Sequence, residues 1–172
     1  KPIVLPHLGI SPRIPPSVFL APGAVIVGDV EIGENAGIWF HAVVRGDVSL
    51  VSIGENTNIQ DGCVLHGQNR QHDVRVGRDV TVGHQAIIHG SVVEDEVLIG
   101  MGARILNGCV IGAGSIVAAG AVLREGTRVP AKSLIAGVPA HVRREVKAEE
   151  LEMIRKSARQ YIEYARTHRE QS

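Results

Sequence analysis

The chain has 172 residues, with 18 Lys plus Arg and 18 Asp plus Glu, so its formal net charge is zero. That length suits one domain, the charge balance argues against a nucleic-acid or anionic-membrane partner, and no apolar run approaches the roughly 20 residues of a membrane span. Aromatic residues make up only 3% while glycines number 20, so Val, Ile and Ala must fill the interior, which implies a narrow and regular core.

The chain opens on Lys1-Pro2-Ile3-Val4, which carries no signal-peptide pattern. From Ile14 onward, aliphatic residues recur every six positions through Leu20, Ile26, Ile32, Ile38 and Val44. After a short insertion the series resumes at Ile53, Ile59 and Leu65, then at Val76, Val82 and Ile88. It drops one residue to Val93 and continues through Ile99, Ile105, Ile111, Val117, Leu123, Val129 and Ile135. Four places after most anchors sits a small or short residue, such as Ala24, Ala36, Ala42, Cys63, Ala86 and Cys109. A period of six fits neither a helix nor simple strand alternation. It fits a short strand plus a corner, three of which close a triangular coil. About 20 such units make nearly seven coils, a solenoid in which each coil buries its neighbour's face. The expected fold is an all-β solenoid, a left-handed parallel β-helix over residues 12–142.

From about Glu145 the six-residue period stops. Leu151, Ile154, Ala158, Tyr161, Ile162 and Ala165 form the apolar stripe of an amphipathic helix, expected over 145–170 as part of the same domain. Glu149 and Glu150 near its start and Arg166, His168 and Arg169 near its end suit the helix dipole. No strong N-cap residue precedes Ala148. The helix is expected to pack along a prism face or on a neighbouring subunit.

Two cysteines, Cys63 and Cys109, do not make a disulfide framework. They occupy inward slots and read as core thiols, and a reducing, cytoplasmic setting is expected. Of eight histidines, His7, His41, His141 and His168 read as surface or packing residues. His66 follows the anchor Leu65 and His89 follows the anchor Ile88, one coil on once the loop after His66 is set aside. Strands one coil apart lie about 4.8 Å from each other, so two imidazoles stacked in that register can converge on one ion. His84 sits on the preceding face and cannot easily reach that ion within its own chain. A neighbouring copy could supply it, which asks for a cyclic homotrimer with three interfacial metal sites. One coil below His66 lies Arg45, followed by Gly46 and Asp47, an ion pair suited to fixing the register between subunits. Gln60 has an outward slot one face earlier, from which it could point at a ligand on the metal.

These residues resemble a known family. Val44-Arg45-Gly46-Asp47, Asn58-Ile59-Gln60-Asp61-Gly62, Leu65-His66-Gly67, Gly83-His84 and Ile88-His89-Gly90 look like the motifs of γ-class carbonic anhydrases and their close relatives. The similarity extends to Ile99-Gly100-Met101-Gly102-Ala103 and Ala136-Gly137-Val138-Pro139-Ala140. The resemblance implies a homotrimer with zinc, or iron or cobalt, held by His66 and His89 of one chain and His84 of the next. It implies that Asn58 and Gln60 orient the bound water or bicarbonate, and that Arg45 and Asp47 pair across the interface. It also implies a tyrosine near the metal from the C-terminal helix, for which Tyr161 is the candidate. Two features depart from the archaeal prototype. Val48 stands where the prototype has a Glu, and the loop Gly67 to Asp73 is short and lacks the prototype's Glu proton shuttle. His72, in that loop, is the substitute candidate for proton relay, since imidazole is the side chain suited to exchanging protons near neutral pH.

The expected activity is reversible hydration of carbon dioxide to bicarbonate by an enzyme of the lyase class. Two rivals stand beside it: a hexapeptide-repeat acyltransferase or thioesterase acting on coenzyme A esters, and a non-catalytic metal-binding assembly module.

Overall fold

The structure, a computed structural model, describes residues 1–69 and 71–170. Its strands stack as a parallel β-solenoid of about seven turns, the hexapeptide β-helix expected from the repeat. The first face carries the anchors Ile26, Val44, Leu65, Ile88, Ile105 and Leu123, which lie side by side in adjacent parallel strands. All six are fully buried. Two long strands, Val25–Ile32 and Val43–Ile53, run from the first face onto the second and join the two into one sheet. The third face is a separate sheet built from strands as short as Asn58–Ile59 and Thr81–Val82. Buried aliphatics from all three faces merge into one core, with Cys63 and Cys109 among them at zero exposure.

The corners explain the composition. The residue three places after an anchor takes a positive φ at Gly23, Asn35, Asn56, Gly62, Asp79 and several further corners. Glycine, Asn and Asp adopt that left-handed backbone at least cost, so they recur there. The glycine directly after an anchor serves a different need. A Cβ at Gly100 would come within 2.4 Å of the Ala119 nitrogen in the next coil, too close for any side chain.

The solenoid ends in a hairpin. Ser133–Gly137 completes the third face, and Ala140–Glu145 folds back on it antiparallel. Helix α1 (Ala148–Glu170) then runs along the third face of its own chain, burying Ile154, Ala158 and Ala165. Ala165 packs with Phe19, Ala21 and Trp39. Thr81 donates to Ser157 at 3.1 Å, and Arg155 reaches Glu96 at 3.0 Å. The start of α1 is held by Glu150, whose carboxylate accepts the Lys147 N–H at 2.9 Å and a two-pronged bond from Arg144 at 2.7 and 2.8 Å. Those bonds, Arg144's first, hold the Glu150 carboxyl down at about 2. They do the work of the missing N-cap side chain. No described helix is long and apolar enough to cross a membrane.

Candidate metal centre

The inter-strand register places His89 beside His66 and His66 beside Arg45 on the first face. The imidazoles of His66 and His89 point outward, with Nδ1 of His66 3.2 Å from Nε2 of His89. Their outer nitrogens are both committed. Nε2 of His66 faces Asp47 Oδ1 at 3.0 Å, and Nδ1 of His89 faces Asn107 Oδ1 at 2.7 Å. The Asn107 amide nitrogen donates to Glu125 at 3.1 Å, which leaves its carbonyl oxygen for His89. Both partners are acceptors, so each outer nitrogen carries the ring's N–H. With both rings neutral, the two facing nitrogens are bare lone pairs, which cannot hydrogen-bond to one another.

That arrangement fits a cation. Two nitrogens bound at about 2.0–2.1 Å to a tetrahedral ion stand about 3.3 Å apart, close to the separation here. Metal-binding imidazoles ordinarily donate their second N–H to a carboxylate or carbonyl, which is what Asp47 and Asn107 accept. Burial, with the nearby Arg45 and His89, holds His66 below the ordinary imidazole value, towards the neutral form a ligand must have. Burial alone would raise the Asp47 carboxyl, but hydrogen bonds from Arg45 and His66 hold it below the usual carboxylate range. Arg45 reaches Asp47 at 2.5 Å within the same chain.

His84 does not join this pair. It sits at the corner after Thr81–Val82, with Nδ1 2.6 Å from Asp61 Oδ2. Among the described residues of one chain, no three metal-binding side chains gather. His84 does share the Asp47–Asn107 design: one ring nitrogen is held by an acceptor and the other is left open. It lines a groove of about 410 Å3 together with Gln60, Thr81, Met101 and Ser157. Gln60 is buried and donates to Asn58 at 3.1 Å, and Asn58 donates to Thr81 at 3.0 Å. Tyr161 lies near Asp61 in a neighbouring groove, half-buried against Trp39. The His72 side chain lies against Gly90 and Gly108, its ring on the Gly108 side, and its carbonyl accepts the Gln68 N–H at 2.9 Å.

Asn107 and Asp61, which orient His89 and His84, escaped the sequence reading. The available signal for Asn107 was its position two places after the anchor Ile105, in the coil above His89. For Asp61 it was the turn that faces His84 from one coil below, where the Gln85 N–H bonds the Asp61 carbonyl at 2.8 Å.

Known proteins share both the repeat and the chain. A family described as bacterial transferase hexapeptide (six repeats) matches residues 11–46 and 90–125. A Methanocaldococcus jannaschii protein named probable carbonic anhydrase is 44% identical over 151 residues, covering 88% of this chain and 94% of the relative. The chain belongs to the γ-class carbonic anhydrase and anhydrase-like family of hexapeptide-repeat proteins. Within that family, Gamma carbonic anhydrase 2, mitochondrial, of Arabidopsis thaliana is 41% identical over 163 residues, 92% of this chain, and the chain spans 59% of that longer relative. A Bacillus cereus structure solved as a candidate acetyltransferase superposes with a TM-score of 0.97 at 38% identity, covering 99% of both chains.

Proposed function

We propose that this family member is a metal-dependent carbonic anhydrase that interconverts carbon dioxide and bicarbonate. It would act as a homotrimer, with zinc, or iron or cobalt, held by His66 and His89 of one subunit and His84 of the next. The observation that carries the reading is the pair of facing lone pairs on His66 and His89, 3.2 Å apart and each backed by an acceptor. Support for the trimer is the position of His84 on a different face, with its own acceptor already in place.

A divalent ion bound there supplies Lewis acidity, which brings the ionisation of water towards neutral pH. The chain's own residues would do the rest. Asp47 and Asn107 keep His66 and His89 in the tautomers that present a lone pair. Gln60 commits one amide proton to Asn58, and Asn58 commits its own to Thr81, so the Gln60 carbonyl oxygen stays free to accept from water or the bicarbonate hydroxyl. Tyr161 would close the groove near Asp61, and His72 would carry protons to solvent. Because both thiols are buried and unpaired, a reducing, cytoplasmic compartment is part of the proposal.

The test is metal analysis followed by a carbon dioxide hydration assay on metal-loaded protein. The reading requires about one ion per chain and hydration activity that chelation removes. Metal-loaded protein with no activity above buffer would leave only a metal-binding assembly module. The likeness to the Bacillus cereus structure favours a second reading, acyl transfer or thioester hydrolysis on coenzyme A esters. That chemistry would run in the metal-free protein and would use His84 as a base in its groove, so metal dependence separates the two.

A further inference from the structure

The chain has two Phe, two Tyr and one Trp, and all five collect in one place. Phe19 lies 5.0 Å from Trp39, and Trp39 lies 6.2 Å from Phe40 and 5.2 Å from Tyr161. Tyr161 in turn lies 5.5 Å from Tyr164. Helix docking accounts for only part of this. Phe19 and Trp39 are buried against Ala165. Phe40 and Tyr161 are half-buried and Tyr164 is 44% exposed, so these three line an open groove of about 460 Å3 instead.

The rings stand as walls. Trp39 meets Tyr161 at 86° and His168 at 82°, Tyr161 meets Tyr164 at 75°, and Phe40 meets His168 at 70°. Edge-to-face contact is an ordinary way for rings to pack, and here it holds Trp39, Phe40, Tyr161 and Tyr164 rigidly along the lining of the groove. Charge sets what the groove can take. Asp61 is the one carboxylate on the lining, and no Lys or Arg lines it among the described residues. The Asp61 side chain is 43% exposed, with Oδ1 accepting the Phe40 N–H at 3.2 Å. Burial first, and then the Asp61 charge, push the Tyr161 phenol up, so the carboxylate's field reaches the rings.

We propose that this groove binds a small organic ammonium ion, with its alkyl groups against Phe40, Tyr161 and Tyr164 and its charge near Asp61. Aromatic faces attract a cation through the ring quadrupole, and an alkylated ammonium brings less hydration to strip than a bare one. The site stands on the groove and not on the metal reading, although its occupant would lie next to His84 through the Asp61 bond.

Trp39, the single tryptophan, gives a direct optical readout. The intact protein is titrated with choline, and in parallel with its uncharged isostere 3,3-dimethyl-1-butanol, while Trp39 fluorescence is followed. Saturable binding of choline is expected, about tenfold tighter than that of the isostere. Tyr164→Ala is expected to weaken choline binding about fivefold, with circular dichroism and metal content unchanged. Asp61→Asn is expected to bring the two probes to similar affinity. Absence of saturable choline binding overturns the proposal, as does equal affinity for the neutral isostere, which would mark the groove as merely apolar. A Tyr164→Ala variant that binds choline as well as the parent also overturns it. Metal content measured on the same samples keeps this result separate from the fate of the anhydrase reading.

Discussion

Asn107 presents its carbonyl oxygen 2.7 Å from Nδ1 of His89 and gives its amide nitrogen to Glu125 at 3.1 Å, so its carboxamide has a single orientation. Asn107→Leu should therefore free the His89 ring without emptying the site. Loss of such a partner ordinarily lowers metal affinity about 10–100-fold. Asn107→Asp, which also accepts, should recover most of that loss. Competition with a chelator of known affinity measures both, and an unchanged affinity in Asn107→Leu would show that the tautomer is set elsewhere.

Under the shared-site reading, His84 needs a second chain. Single changes His66→Ala, His84→Ala and His89→Ala should each abolish tight metal binding, because two imidazoles cannot hold the geometry of three. His7→Ala serves as the control and should bind normally. Light scattering on the parent should report a trimer. A stable monomer with full metal occupancy, or stoichiometric metal in His84→Ala, would overturn the shared site.

His72 tests the proton route. Under the anhydrase reading, His72→Ala should slow turnover in dilute buffer while metal content stays the same. Imidazole-type buffers should then restore part of the rate. Equal rates for variant and parent at every buffer concentration would mean that protons leave by another path.

Burial pushes the Cys63 thiol from 9.0 up to about 12. An acid whose folded pKa is raised favours the folded state below its unfolded value. That contribution is therefore present up to about pH 9 and lost as pH rises towards about 12. Urea midpoints should fall through this window, and less steeply in Cys63→Ala. A thiol reagent at pH 8 should leave Cys63 unmodified in the native protein and react on unfolding. Rapid native labelling would contradict its place in the core.

Ile88 lies fully buried directly beneath the candidate ligand His89. Ile88→Ala should cost about 2–5 kcal/mol and Ile88→Val about 0.5–1.5 kcal/mol in urea unfolding at fixed protein concentration. If Ile88→Ala unfolds with the parent, the anchors do not carry the stability that their burial implies.

The six-residue period made the solenoid legible because a single interior anchor per corner leaves little freedom in register. The stacking of Arg45, His66 and His89 followed from counting hexads, since parallel coils in register carry sequence positions straight into space. Side-chain partners did not follow. For Asn107 and Asp61, spacing sets the position one coil away but not the side-chain torsions that make them partners of His89 and His84. The start of α1 was unreadable for a related reason. Its cap is Glu150 reaching back to Lys147 and outward to Arg144, a three-residue clamp and not a single preferred residue. The aromatic cluster was hidden because its members are far apart in sequence, from Phe19 to Tyr164, and meet only where α1 crosses the third face.

A β-helix is in principle an endless rod, since each coil offers its whole rim of unpaired backbone groups to another. The antiparallel strand Ala140–Glu145 breaks that logic on the third face by reversing the chain direction and setting His141, Arg143, Arg144 and Glu145 out in water. The other two faces stop at strands of two residues, Val122–Leu123 and Arg128–Val129. Charged, reversed or very short rims are poor templates for a further strand. The hairpin thereby acts as a stopper against fibre growth, and leaves sideways contact between prisms as the open route to assembly.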